Sequence, residues 1–110
     1  MPLYRLDATP REVLICEDEN GREPFMDWLR SLDPATRAKV RNRMDRVEDG
    51  NLGEHKSVGK GIVELILDFG PGYRIYIGQL GNEIHLISGG SKRTQDQDIK
   101  NAQDFWGKHD

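Results

Sequence analysis

Apolar and polar positions alternate most regularly between residues 62 and 88. Val63, Leu65, Leu67 and Phe69 fall on one side of an extended chain. Glu64, Ile66 and Asp68 fall on the other, with Ile62. Past Gly70-Pro71-Gly72 the alternation resumes, with Tyr73, Ile75 and Ile77 opposed by Arg74, Tyr76 and Gly78. Strands are therefore predicted at about 62–69, 73–80 and 83–88. Matching apolar to apolar pairs Phe69 with Tyr73, Leu67 with Ile75 and Leu65 with Ile77. It also sets Asp68 opposite Arg74, Ile66 opposite Tyr76 and Glu64 opposite Gly78. That register needs a three-residue loop, Gly70-Pro71-Gly72, because a two-residue turn would flip one strand's faces. A second hairpin through Gly81-Asn82 pairs Gln79 with Ile84, Gly78 with His85 and Ile77 with Leu86. It then pairs Tyr76 with Ile87 and Arg74 with Gly89.

The pattern is different elsewhere. Glu12–Glu17 reads as a strand, and Asn20-Gly21 as a turn. Phe25, Trp28, Leu29 and Leu32 recur at helical spacing behind Pro24. Asp33 caps a second helix starting at Pro34, with Val40, Met44 and Val47 as its buried stripe and Gly50 as its C-cap. Lys39, Arg43 and Arg46 share another face, and Arg37 and Arg41 are neighbours. Residues 51–61 read as a glycine-spaced loop carrying His55, Lys56 and Lys60. A last helix covers roughly 94–106, with Ile99, Ala102, Phe105 and Trp106 as its apolar side. The predicted order is β-α-α-β-β-β-α, an α+β domain with its helices on one face of an antiparallel sheet. Glu64, Ile66, Asp68, Arg74, Tyr76 and His85 collect on the open face.

A length of 110 residues fits one domain, spanning 1–110. No apolar run is long enough to cross a bilayer, and Met1–Arg5 does not begin a signal peptide. One cysteine, Cys16, rules out an internal disulfide and fits a reducing cytoplasm. Its expected place is a small buried hydrophobe in a strand. The net charge of −3 argues against a nucleic-acid partner until its distribution is considered. Residues 1–20 are acidic, whereas residues 36–46 hold Arg37, Lys39, Arg41, Arg43 and Arg46 against Asp45 alone. A basic helix face of this kind is ordinarily solvated surface.

No cysteine or histidine cluster has metal-ligand spacing, and no phosphate-binding glycine loop or Ser-His-Asp signature is present. Gly70-Pro71-Gly72 opens no helix, so it lacks the dipole that phosphate loops use. What remains is a sheet face with Arg74, Lys92, Lys56, Tyr76 and two histidines nearby. Such residues suit a phosphodiester: arginine for the oxygens, tyrosine for a base, histidine or lysine for a proton. The plain alternative is that Arg74 pairs with Asp68 across the strands and the others are solvated.

Five ordered motifs carry a resemblance. They are Phe25-x-x-Trp28-Leu29, residues 46–53 (RVEDGNLG), 55–61 (HKSVGKG), 64–76 (ELILDFGPGYRIY) and 89–102 (GGSKRTQDQDIKNA). Together, over roughly residues 22–106, the chain resembles the RelE/ParE superfamily of type II toxins, in the HigB-like branch of addiction-module killer proteins. The resemblance implies a RelE-like fold: a helical hairpin and a C-terminal helix against a small antiparallel-rich sheet. It also implies a bacterial toxin and endoribonuclease that cleaves mRNA on the ribosome, held inactive by a small helix-turn-helix antitoxin. The substrate's 2′-OH attacks phosphorus, with no metal or other cofactor. Carried over by motif, Arg74 binds the scissile phosphate, Lys56 flanks the RNA and Lys92 is the third cation. His55 serves proton transfer and Tyr76 positioning, with Arg41, Lys39, Lys60 and Arg93 as further RNA contacts. One position departs from the pattern. The usual E-L-R triplet reads Glu64-Leu65-Ile66 here, so Ile66 replaces a functional arginine. A weakened toxin, a different target and a substitution that let a toxic protein be produced all stay open. So do two other activities: a ParE-like toxin that binds gyrase without cleaving, and an inactive relative that retains only antitoxin binding.

Overall fold

The structure, a computed structural model, describes residues 10–109. The first nine residues, with Arg5 and Asp7 of the acidic start and the leading segment considered for a signal peptide, lie outside the described residues. The chain is α+β, with a five-stranded mixed sheet and three helices. In order they are β1 (Glu12–Ile15), α1 (Pro24–Ser31), α2 (Pro34–Glu48), β2 (His55–Gly59), β3 (Ile62–Leu67), β4 (Tyr73–Leu80), β5 (Glu83–Ser91) and α3 (Gln95–His109). A 3₁₀ turn, Lys92–Thr94, joins β5 to α3. Across the sheet the strands run β1-β5-β4-β3-β2. β1 is parallel to β5, and the other pairs are antiparallel.

The loop predicted at 51–61 contains a strand, so the order is β-α-α-β-β-β-β-α. Lys60 (φ 55°) and Gly61 (φ 82°) both lie in the left-handed region, the pattern of a two-residue type I′ hairpin turn. The glycines that suggested a loop are therefore hairpin punctuation. β2 is an edge strand and mostly exposed, so it shows no apolar alternation to read.

The sheet is covered on both faces, not one. α1 and α2 cover Leu65, Leu67, Ile75, Ile77, Ile84 and Leu86 with Phe25, Leu29, Val40 and Val47. α3 lies on the face expected to be open, where Ala102 and Trp106 cover Cys16, Ile62, Tyr76 and Ile87. The apolar stripe of α3 needs a hydrophobic seat, and these residues supply it. A glycine on each face lets a helix approach the sheet closely, Gly78 under α3 and Gly89 under α1. A Cβ on Gly78 would stand 2.5 Å from the Trp106 ring, and one on Gly89 would stand 2.2 Å from Trp28. The Trp28 ring would have to shift to admit a methyl group, so Gly89→Ala is expected to cost about 1–3 kcal/mol by overpacking. Chemical denaturation of the two proteins measures this.

The predicted face of each β3 and β4 residue holds, but the pairing does not. β3 and β4 pair Leu67 with Tyr73, Ile66 with Arg74, Leu65 with Ile75 and Glu64 with Tyr76. The register is displaced by two residues from the expected one, and a five-residue connection, 68–72, replaces the three-residue loop. Parity cannot detect this, because a two-residue shift returns every side chain to its own face. Phe69 stacks obliquely on Tyr73, with ring centroids 5.3 Å apart. The Gly72 N–H donates to Phe69 O over Gly70 (φ 55°) and Pro71, the φ pattern of a type II′ turn. The second hairpin matches expectation from Gln79–Ile84 through Ile77–Leu86 and then breaks at Ile87. A bulge there leaves Tyr76 opposite Ser88, not Ile87, and Arg74 opposite Gly90, not Gly89.

Cys16 is buried beside Ile62 and Tyr76, just past β1, and its N–H still donates to Leu86 O. Burial pushes its thiol up to about 11 from 9.0. The folded state therefore favours the neutral thiol. Its contribution is complete below pH 9 and is lost as pH rises toward about 11. Iodoacetamide at pH 8 is expected to leave the folded protein unlabelled and to label it after denaturation, as read by mass spectrometry.

Candidate functional site

The two-residue displacement of β3 assembles the site. Lys56 on β2 stands opposite Glu64 on β3, and Glu64 opposite Tyr76 on β4. One repeat along, Ile66 stands opposite Arg74, and Arg74 opposite Gly90. All lie on the α3 side of the sheet, toward the end where α3 begins.

Glu64 is at the centre and is fully buried. Its Oε2 accepts from the Tyr76 hydroxyl at 3.1 Å and from Gln95 Nε2, on the first turn of α3, at 2.9 Å. Its Oε1 accepts no hydrogen bond from any described residue. Lys56 Nζ lies 3.8 Å from that oxygen and Arg74 Nε 4.0 Å from it. Arg74 Nε is likewise buried without a hydrogen-bond partner among the described residues. The arginine side chain is only 12% exposed, whereas that of Lys56 is 57% exposed. A buried carboxylate needs such cations nearby, since desolvation penalises an isolated charge. Burial, and then the neighbouring Glu64 carboxylate, push the Tyr76 phenol far above its ordinary value.

Lys92 joins the cluster through the turn below it. Its N–H donates to Gly72 O at 2.8 Å. A Cβ on Gly72 would lie 3.4 Å from Lys92 Cβ and 3.9 Å from Arg74 Nη1. Arg93 is exposed beside it in the 3₁₀ turn. On the helix side, Asp98 accepts from Thr94 Oγ1 at 2.5 Å and closes over Gly90.

The other expected site residues lie elsewhere. His55 pairs with Leu65, which turns it to the opposite face from Lys56, and its ring Nδ1 lies 2.7 Å from Gly53 O. Tyr76 is fully buried under α3, so it cannot stack on a base or touch substrate. Lys60 sits in the β2–β3 turn, next to Ile62 at the far end of β3 from Ile66. Lys39 and Arg41 belong to α2, on the opposite face of the sheet, and Lys39 Nζ sits 4.5 Å over the Phe69 ring. His85 faces Trp106 at 5.4 Å and Glu83 at 3.0 Å, opposite Gly78 and away from Arg74. Asp68 is exposed in the 68–72 connection and does not oppose Arg74.

Two residues escaped the sequence reading. Glu64 had a visible signal, a carboxylate inside the apolar run Ile62–Leu67, and its partners come from three other elements. Arg43 shares its helix face with Lys39 and Arg46, a pattern that predicts solvated surface, yet it is buried. Its guanidinium donates to Leu52 O at 2.9 Å, Ile66 O at 2.7 Å and Glu54 O at 2.5 Å. It therefore ties the entry to β2 and the end of β3 to α2, fixing the backbone beneath Ile66 and Arg74. Gly53 is required here: a side chain on it would meet the Arg43 guanidinium at 2.8 Å.

Fold and site together define a small α+β domain with two cations, Lys56 and Arg74, beside one buried carboxylate and a third, Lys92, next to the turn at Gly72. Among the described residues, no group of three or more His, Cys, Asp or Glu side chains could hold a metal ion. No helix among them is long and apolar enough to cross a membrane. The chain is 46% identical over 81 residues to an uncharacterized protein of Haemophilus influenzae (strain ATCC 51907 / DSM 11121 / KW20 / Rd). The match spans 72% of this chain and 82% of the other, and the two belong to one family. No family model matches the sequence. No solved structure matches it.

Proposed function

We propose that this chain is the toxin of a type II toxin–antitoxin module, a RelE/ParE-type, HigB-like endoribonuclease that cuts mRNA on the ribosome. The supporting observation is the convergence of Lys56, Arg74 and Lys92 on one end of the sheet. A guanidinium held in a mostly buried setting is a pre-organised receptor for the charge that develops on a phosphodiester under 2′-OH attack. Exposed Lys56 and Lys92 supply charge on either side of it, and Arg93 extends the basic margin. In this reading Arg74 binds the scissile phosphate, and Lys56 is the cation best placed to move a proton. The cell would hold such an activity in check with a cognate antitoxin, a small acidic or amphipathic protein covering the same basic end.

Ile66 enters as the direct cross-strand neighbour of Arg74. An arginine at that position would add a fourth cation beside the first. Its absence predicts a slower enzyme, by a factor on the order of 10²–10³ if one transition-state contact is lost. The test is primer extension on ribosome-bound mRNA with the wild-type chain and Ile66→Arg. Cuts from wild type, intensified by Ile66→Arg, support the nuclease. Cuts from Ile66→Arg alone favour an inactive relative that retains antitoxin binding. Cuts from neither sink the nuclease and leave gyrase inhibition to be assayed.

A further inference from the structure

We propose that Glu64 is a positioning residue that couples Lys56 and Arg74 into one receptor for a single phosphodiester group. This rests on the phosphodiester reading of the cluster and adds a residue to it. A fully buried carboxylate cannot reach a nucleotide hydroxyl, so Glu64 acts through its neighbours. Tyr76 and Gln95 both hold Oε2, which fixes the plane of the carboxylate and aims Oε1 between the two cations. The two orphaned atoms, Glu64 Oε1 and Arg74 Nε, face one another at 4.0 Å. A closure of about 1 Å would make a charge-assisted hydrogen bond of ordinary length. With Nε facing Glu64, Nη1 lies on the Gly72 side, toward Lys92, where it also donates to Tyr73 O at 3.4 Å.

The charges agree with the ligand. Lys56 and Arg74 against Glu64 leave one net positive charge, which one phosphodiester balances. Asp98, on α3 over Gly90, and Lys92, beside Gly72, add one charge of each sign and leave that sum unchanged. Because both inner cations share one carboxylate, displacing either changes how the other is held. Lys56 and Arg74 should therefore not act independently on an anion.

Binding of a 2′-O-methyl oligoribonucleotide tests this, since its blocked hydroxyl prevents cleavage. Affinities are measured for the wild type, Lys56→Ala, Arg74→Ala and the double variant, and again with Glu64→Gln in all four. Glutamine keeps an acceptor for Tyr76 and Gln95 while removing the charge. In the native background the two losses should deviate from multiplication by about 2- to 10-fold, and in Glu64→Gln they should multiply. Losses that multiply in both backgrounds overturn the coupling, as does an oligonucleotide that does not bind. Should Glu64→Gln fail to fold, the wild-type protein gives a second readout. The Arg74 Nε–H proton signal should move on Lys56→Ala, and an unmoved signal overturns the proposal. Coupled binding without any ribosomal cleavage removes the nuclease and leaves the paired receptor standing.

Discussion

Under the nuclease proposed above, Arg74→Ala is expected to lower ribosome-dependent mRNA cleavage by a factor on the order of 10²–10³ while leaving the chain folded. The guanidinium is the one cation of the cluster held largely out of water, with 12% of its side chain exposed. Low local dielectric strengthens its interaction with a developing charge. Lys56 and Lys92 are exposed, so solvent screens them and their single loss should cost less. Arg74→Lys should fall between arginine and alanine, because an ammonium keeps the charge but lacks the bidentate fork. The fold should survive Arg74→Ala because Glu64 keeps Tyr76, Gln95 and Lys56. Primer extension, run in the wild-type and Ile66→Arg backgrounds, reads the first expectation, and thermal melting reads the second. An alanine variant that melts normally and cuts at the parental rate would remove Arg74 from the chemistry.

Arg43→Met is expected to cost about 3 kcal/mol or more of stability, lowering Tm by something on the order of 10–20 °C. The carbonyls of Leu52, Glu54 and Ile66 all accept from that one side chain, and among the described residues only Glu54 O has a second donor, the Ile66 N–H. Methionine fills much of the space and satisfies none of them, and a buried unsatisfied acceptor costs roughly 1–3 kcal/mol. Burial, then Arg46, pull the Arg43 pKa down, and Glu54 partly offsets this. The guanidinium stays protonated all the same. Arg43→Lys should lie in between, since an ammonium on a flexible stem cannot serve three carbonyls from one plane. Urea denaturation, read by circular dichroism, separates the three proteins. A methionine variant as stable as the parent would show that water reaches those carbonyls.

The two expectations differ in how far the sequence revealed them. Arg74 could be placed on its face of β4 by alternation alone, because that period is set by backbone geometry and is the same in any strand. Arg43 could not be placed, because its helical position is equally consistent with a solvated face. Only the return of residues 52–54 and 66 beneath α2 makes it a buried anchor. His55 and Lys56 show the same limit one strand over. Both were read in a loop, and their opposite roles follow from a β2 strand that the sequence reading did not find.

The sequence by itself determined the helices, four of the five strands to within about three residues at their ends, and the side-chain faces of β3 and β4. Local periodicity and turn chemistry carry that information. Tertiary structure decided the two-residue displacement of β3 against β4, the bulge at Ile87, and the seating of α3 on the second face. These depend on contacts between distant segments, and a shift of two residues leaves no mark on an alternating pattern. Yet that shift is what brings Glu64 level with Tyr76 and sets Ile66 beside Arg74. The fold class was legible in the chain, whereas the organisation of the site around a buried carboxylate arose only when the strands took their register.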